Sequence, residues 1–467
     1  MAEPFVGRAG ATTPERVRLS EVVSALSHAL DVTEGQPMGH AVRSTLIGMR
    51  IAGVLGVSAE QRSALYYALL LKDLGCSSNA SRLTALFGAD DILIKHAHKL
   101  TEWTATRSEA RFAFKYALPG KSRMAKAWHT LMLGSREKGS GREMIKTRCE
   151  RGVDIARMLR LPEGAAEAIG SMEEHWDGSG MPQGLRGSAI PILGRIVCLA
   201  QTMEVFHSAF DLRTAYDMTF ARRGRWFDPV LVDALSAFQM DAPFWQSLKG
   251  ADTLKAVRAL EPAEQTFMCG DDDLDRVAEA FARVIDAKSP YTLQHSRNVA
   301  SIATAMGREM GMADWELRSL KRAALLHDVG KLGVSNTILD KPAALTPVEM
   351  ETMRRHTRLT FDILKKVTRF RQFAATAAAH HERLNGEGYH LGLHGEELGC
   401  SARILAVADV TEALCANRPY RSGMGLDEAH AMVRKLVARG ELCPAAHEAL
   451  KATFAGFSGG CGADAAC

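Results

Sequence analysis

The chain has 467 residues, 46% of them hydrophobic and 24% charged, with a formal net charge of +4. Such a length allows two to four domains, and so small a net charge over it argues against a protein built mainly to bind nucleic acid. No apolar run reaches the roughly eighteen residues a membrane span needs, and the N-terminus lacks a basic segment followed by an apolar one. A cytoplasmic protein is expected. The nine cysteines are odd in number and form no Cys-x-x-Cys pair, so reduced thiols are the expectation.

Residues 1–18 read as a tail. From Leu19 to Leu71 apolar residues recur at helical spacing (Val22, Val23, Leu26, Leu30, then Leu65, Ala68, Leu69), with no sustained strand-like alternation. Residues 95–148 are distinctly basic, with 13 Lys/Arg against 4 Glu. That excess suits an anionic partner, but charge runs of this kind commonly face water, and a solvated helical insert is the plainer expectation. Further helices follow, separated by the Gly- and Pro-containing loop from Glu173 to Leu185. Residues 241–273, with Pro243, Pro262, Gly270 and the acidic run Asp271-Asp272-Asp273, read as a linker. Acids at a helix start are favoured by the helix dipole, so a cation site there is the weaker reading.

The second region is helical from Leu274 and carries His295 amid apolar positions. Its centre is the run Ala323-Ala324-Leu325-Leu326-His327-Asp328-Val329-Gly330-Lys331. Adjacent helical residues point about 100° apart, so His327 and Asp328 can face one centre only if it lies beside the helix. Imidazole together with carboxylate suits a first-row divalent cation. Downstream lie His356, the pair His380-His381, a second Gly-rich loop from Asn385 to Leu393, and an apolar helix bearing Asp409.

The two halves correspond. His295 and Asp328 stand over His40 and Asp73 at an offset of 255, while Leu393 and Arg403-Ile404 stand over Leu185 and Arg195-Ile196 at an offset of 208. The difference, 255 − 208 = 47, marks an insertion of 47 residues in the first copy, within the basic stretch (near 76–148). A tandem duplication is therefore expected. Reading second copy to first, His327 becomes Lys72, His356 becomes Arg148, His380-His381 becomes Met172-Glu173 and Asp409 becomes Gln201. Lysine and arginine at ligand positions repel a cation. The first copy should hold no metal, and the joint loss of the polar set suggests that the set works as one metal centre in the second.

The run His327-Asp328-Val329-Gly330-Lys331-Leu332-Gly333-Val334, with Ile338-Leu339-Asp340-Lys341-Pro342, His356, His380-His381-Glu382-Arg383, Gly388-Tyr389, Ala408-Asp409-Val410 and Arg418-Pro419-Tyr420-Arg421, resembles the HD-GYP domain of bacterial signalling proteins. This is a branch of the HD phosphohydrolase superfamily. The resemblance implies an all-α fold of two tandem HD-type helical bundles: a degenerate domain over 19–240, an HD-GYP domain over 274–456, and a flexible tail over 457–467. It implies two divalent metal ions, iron or manganese, in the second domain. Their ligands would be His295, His327, Asp328, His356, His380, His381 and Asp409, with Asp328 bridging and catalytic. Lys331 would bind phosphate and assist catalysis, and Arg418, Arg421, Glu412 and Tyr389 would meet substrate.

Four departures bear on this. Gly388-Tyr389-His390 replaces Gly-Tyr-Pro and loses a rigid proline, Asn385 and Glu412 each stand where aspartate is usual, and Tyr291 occupies the place of a third-metal glutamate. The implied activity is hydrolysis of cyclic di-GMP to pGpG or GMP, two metals activating a water for in-line attack on phosphorus. One alternative is a catalytically weak cyclic-di-GMP-binding or scaffold protein that contacts GGDEF-domain diguanylate cyclases; another is a phosphohydrolase of a different nucleotide. A homodimer is compatible with either.

Overall fold

A computed structural model describes residues 16–458, apart from 105, 137–139, 251, 264–265, 390 and 418–420. Both expected tails beyond those bounds, together with Arg418 and His390, lie outside the described residues. The fold is all-α, as expected, save for one two-residue antiparallel strand pair, Val17–Arg18 with Met268–Cys269. It divides into two compact units, Arg16–Gly270 and, among the described residues, 271–458. No described helix is long and apolar enough to cross a membrane.

In the first unit the helices Leu19–Thr33, His40–Leu55, Ala59–Leu71, Glu163–Ser171 and Ile192–Ala209 form the bundle. The last of these buries Ile196, Val197, Leu199, Ala200 and Met203 completely, which a helix apolar on all sides does only at the centre of a bundle. Side chains set the helix starts. Ser58 and Gln61 form a reciprocal capping box before Ala59–Leu71, and Asp228 caps Pro229–Ser236. Between the bundle helices the basic stretch folds into Ala80–Phe87, Asp91–Lys99, Thr106–Tyr116, Arg123–Arg136 and the first turns of Ser140–Met158. It is helical, but it is more than a solvated arm: Ala89, Ile94, Ala97 and Phe112 form a small core of their own, packed by Leu83, Phe87 and Tyr116.

Residues 241–270 correct the expectation of a linker. They fold as Ala242–Ser247, Thr253–Ala259 and the second strand, all within the first unit. Trp245 is buried against Phe238 and Tyr216, and the carboxylate of Glu261 accepts from Ser20 at 2.7 Å and from the Tyr67 hydroxyl at 2.6 Å. A linker prediction from Pro and Gly content could not see these anchors, of which the Glu261 contacts join residues 241 and 194 positions apart.

The second unit begins at the acidic run. Asp271 opens helix Asp271–Asp286 and accepts from Arg322 at 2.9 Å and from Arg369 at 2.6 Å, so its charge is met by arginines. The helices His295–Glu309, Asp314–Leu326, Pro347–Leu364, Arg371–Ala378 and Cys400–Cys415 pack around its core, and Leu426–Ala438 and Pro444–Ser458 complete it.

Two backbone devices recur at the offset of 255. Asp31 accepts from the backbone N–H groups of Gly39 (2.7 Å) and Ala41 (2.9 Å), and Asp286 accepts from the Ser296 backbone (3.2 Å) and hydroxyl (2.6 Å). Each buried aspartate thereby pins the start of the helix that carries His40 or His295. The residue just before that histidine has positive φ in both, Gly39 at +91° and Gln294 at +66°; the left-handed conformation disfavours a side chain, so Gln294 holds strain that the cap offsets. Secondly, a Cβ on Gly75 would stand 1.9 Å from the Arg148 carbonyl oxygen, and one on Gly330 2.0 Å from that of His356. The turn after Asp328 therefore lies against the backbone of the His356 helix, and Thr360 ties the two together, accepting from Gly330 N–H at 3.0 Å and donating to the His327 carbonyl at 2.9 Å.

Gly330→Ala should destabilise the second unit by about 1–3 kcal/mol, because the helix must move away. Gly53→Ala, at an exposed helical position with nothing within 4 Å of the new Cβ, should stabilise by up to about 1 kcal/mol. Urea denaturation reads both, and equal effects would contradict the contact. In the first unit, His175 is 1% exposed and stacked on Trp226 with centroids 4.1 Å apart. Burial pulls its pKa down to about 4. An imidazole that must stay neutral when folded costs stability as pH falls below about 6.5, levelling near pH 4 at a loss on the order of 3 kcal/mol. Denaturation followed by tryptophan fluorescence should show that slope in the wild type and a flatter one in His175→Gln.

Candidate metal centre

The helix Asp314–Leu326 ends at His327, and the chain then turns through a 3₁₀ segment, Val329–Gly333. The centre that the adjacent His327 and Asp328 both face lies beside the end of this helix, as their roughly 100° separation requires. Around it the structure gathers His295 from the start of its helix, His356 from Pro347–Leu364, His380 and His381 just past Arg371–Ala378, and Asp409 from Cys400–Cys415. All seven expected ligands come together. His327 and His380 are wholly buried, and His295, Asp328, His356 and Asp409 nearly so.

Asp328 divides the centre. Its Oδ2 lies 3.5 Å from His295 Nε2 and 3.3 Å from His327 Nε2, with Asp409 Oδ1 closing that side at 3.4 and 3.7 Å from the same two nitrogens. Its Oδ1 lies 3.5 Å from His356 Nε2 and 3.6 Å from His380 Nε2. His381 Nδ1 is 3.8 Å from Asp409 Oδ2. Two triads, His295–His327–Asp409 and His356–His380–His381, each present their donor atoms within 4.8 Å of one another.

The outer nitrogens show which atoms are free. His327, His356 and His380 each donate Nδ1–H to the carbonyl three residues earlier, Ala324, Met353 and Ala377, at 2.6–2.7 Å. In the neutral rings the inner Nε2 atoms therefore carry lone pairs. His356 and His380 bring two such lone pairs to 3.3 Å, an arrangement that is repulsive without a cation between them. Asp328 Oδ1 is buried and has no hydrogen-bond partner. An orphaned carboxylate oxygen facing two imidazole lone pairs is what a cation site requires, so the donor set fits divalent metal.

Electrostatically the two sides differ. Burial opposes protonation of His327, but Asp328 and Asp409 outweigh it and push its pKa up to about 9. On the imidazole-rich side burial dominates, bringing His356 down to about 4 and holding His380 and His381 well below the ordinary imidazole value. Asp328 is held well below the carboxylate range: burial works against this, and His327 and Lys331 prevail.

The residues expected to meet substrate are placed less uniformly. Lys331 Nζ lies 2.5 Å from Asp328 Oδ2 at the edge of the centre, its side chain 21% exposed. Tyr389 lies over His381 with centroids 4.3 Å apart, and Arg354 lies 5.3 Å from its ring. Two expectations need correcting. Glu412 is buried and accepts from the Nδ1–H of His295, with Asn298 Nδ2 at 3.4 Å; as placed it holds the His295 ring. Arg421 donates to the backbone carbonyls of Ala413, Leu414 and Ser422, closing its own loop onto the end of the Asp409 helix.

Sequence reading missed three positioning residues: Asp286, Glu412 in this role, and Glu382. Glu382 is buried and accepts from the N–H groups of Leu391 (3.1 Å) and Leu393 (3.3 Å), shaping the Gly-rich loop. The signal was available, because all three recur at the duplication offsets. Asp31 corresponds to Asp286. Glu204, which holds His40 and Arg43, corresponds to Glu412, and Glu174, which accepts from Gln183, Gly184 and Leu185, corresponds to Glu382.

In the first unit the equivalent place is filled by side-chain cations. Lys72 pairs with Asp73, and Lys99, from the inserted helix Asp91–Lys99, lies 3.4 Å from Asp73 and 3.1 Å from Glu34. Arg148 pairs with Glu173. Glu34, Asp73 and Cys76 could in principle surround an ion. Burial raises the Cys76 thiol well above its ordinary value, however, and although burial opposes it, Lys99 and Lys95 bring Glu34 down to about 2. Those carboxylates already have their positive partners.

Comparison with known proteins accords with this architecture. The HD domain family model matches residues 124–231 and 279–441. The chain is 40% identical over 417 residues, 89% of its length and 90% of the relative's, to 3′3′-cGAMP-specific phosphodiesterase 3 of Vibrio cholerae serotype O1. It is 36% identical over 176 residues to the cyclic di-GMP phosphodiesterase of Thermotoga maritima, which aligns with 37% of this chain and 48% of that one. Among solved structures, a cyclic GMP-AMP specific phosphodiesterase of V. cholerae superposes with a TM-score of 0.65 at 36% identity, covering 94% of this chain and 98% of that one. A buried His/Asp centre on an all-α bundle, with a family match on both halves and a relative alike over nearly the whole length, places this chain in the HD domain family, in its HD-GYP branch.

Proposed function

We propose that the chain is a metal-dependent phosphodiesterase of 3′,3′-linked cyclic dinucleotides, with 3′3′-cGAMP preferred over the cyclic di-GMP that the sequence motifs suggest. The observation that carries the chemistry is the Asp328 carboxylate, with one oxygen facing His295 and His327 and the other, unpartnered, facing His356 and His380. The preference rests on likeness over nearly the full chain to a relative named for cGAMP. Cyclic di-GMP is the second reading, favoured by the Thermotoga relative.

In this reading His295, His327, Asp328 and Asp409 hold one divalent cation, and His356, His380, His381 and Asp328 a second; imidazole with carboxylate suits iron or manganese. When bound, such a pair supplies Lewis acidity and an acidified water for phosphodiester cleavage. Lys331 offsets charge on the phosphoryl oxygens. Glu412 and the three backbone carbonyls keep the imidazole lone pairs turned inward, and Tyr389 closes one side against bulk water. The first unit, with Lys72, Lys99 and Arg148 on its carboxylates, takes no metal and is a degenerate copy of the second.

Purified protein loaded anaerobically with iron or manganese should hydrolyse 3′3′-cGAMP with kcat/KM at least about tenfold above that for cyclic di-GMP, a gap of roughly 1.4 kcal/mol in transition-state binding. A reversed ratio would favour the second reading, and binding of both dinucleotides without turnover would leave a scaffold. Asp328→Ala should lower turnover by at least about a hundredfold and remove most bound metal while retaining the helical circular dichroism spectrum. Elemental analysis should give two metals per chain in the wild type and in Asp73→Asn; equal loss from Asp73→Asn would place a metal in the first unit.

A further inference from the structure

The first unit retains a cavity of about 620 Å³ beside its cation-filled centre. Its floor includes Gln201, at the place corresponding to Asp409, and the inserted helices supply much of its wall and rim. Such a volume falls in the usual range for small-molecule sites, roughly 300–1,000 Å³.

Three features of the lining define what fits. Gln201 is 6% exposed, and its Oε1 is buried without a hydrogen-bond partner. Thr130 Oγ1, on the inserted helix Arg123–Arg136, is likewise buried and unpartnered. Unsatisfied buried polar atoms are uncommon and costly, and a ligand carrying N–H groups would satisfy them where an acyl chain would not. Secondly, flat aromatic surface lines the wall. His98 stacks near-parallel with Trp103 at 6.1 Å and 19° and meets Phe112 edge-on at 5.6 Å. Burial brings the His98 pKa down to about 4, so at neutral pH the ring offers uncharged π surface to a planar heterocycle.

Charge is the third feature. Lys95, Lys99 and Arg148 are matched by Glu34, Asp73 and Glu173. Arg142, on Ser140–Met158, is exposed where it lines the cavity and forms no ion pair among the described residues. A single uncommitted guanidinium suits one anionic group, bound bidentately.

We propose that this cavity is a binding site for a nucleoside monophosphate, its base against the aromatic wall and Gln201, and its phosphate at Arg142. The site is separate from the metal centre and does not depend on the second unit being a phosphodiesterase. It also gives the basic insertion a role, since Lys99, His98, Trp103, Phe112, Thr130 and Arg142 all come from it.

The test uses the full chain stripped of metal with EDTA and titrated with AMP and with GMP, followed by calorimetry and tryptophan fluorescence. One of the two should bind at one site per chain with a Kd below about 100 µM, and Gln201→Leu and Arg142→Ala should each raise that Kd by about tenfold or more. Thr130→Val serves as a further variant, and thermal melts establish that each is folded. Absence of binding by both nucleotides would overturn the proposal. So would binding that survives all three substitutions, or that is abolished by Lys331→Ala in the second unit. Hydrolysis assayed separately on metal-loaded protein leaves the phosphodiesterase reading independent of either result.

Discussion

A carboxylate buried away from water must be met by positive charge, and this requirement shapes both halves of the molecule. Asp73 and Asp328 are each 1% exposed at the end of an apolar helix. In the first unit the charge is built in, as Lys72 and Lys99 on Asp73. In the second, Asp328 has one lysine at its edge and four imidazole nitrogens around its two oxygens, with one oxygen unpartnered. Lone pairs aimed at a carboxylate do not neutralise it. A divalent cation, or protons in its absence, is needed to complete the set, and the raised pKa of His327 expresses that need.

The scaffolding that aims these groups is common to both units and is largely indifferent to metal. A buried aspartate caps the helix bearing the first histidine, a glutamate on the Ile192–Ala209 or Cys400–Cys415 helix takes that histidine's Nδ1 proton, a glycine admits a carbonyl against the turn, and a buried glutamate gathers the N–H groups of the Gly-rich loop. Both units keep these devices because each satisfies buried backbone or side-chain groups that would otherwise be orphaned. The fold thus rests on residues other than the His and Asp cluster, which is how it is shared by two units whose clusters differ.

Legibility of the site followed from how each residue acts. The seven His and Asp positions stood out as candidates because a metal accepts few side-chain types and because five of their counterparts changed together, only His40 and Asp73 keeping their identity. Glu412 and Arg421 were misread as substrate contacts: carboxylate and guanidinium suit substrate and scaffold equally, and only the direction in which each points distinguishes them. Glu412 turns inward onto His295, and Arg421 turns back onto three carbonyls of its own loop.

The sequence by itself determined the all-α class, because helical periodicity is a local property of the chain; the repeat with its 47-residue insertion (255 − 208) and the composition of the centre were legible in it as expectations, from constant offset and ligand chemistry. Tertiary structure alone decided that Asp328 divides its two oxygens between two groups of imidazoles, and that residues 241–270 belong to the first unit through Trp245 and Glu261. It also decided that the basic insertion encloses a cavity and sends Lys99 to Asp73. Apart from the His327–Asp328 and Phe238–Trp245 pairs, these are contacts between residues distant in the chain, selected by packing and by the cost of leaving buried charge unmet, and no pattern along a single strand of sequence records them.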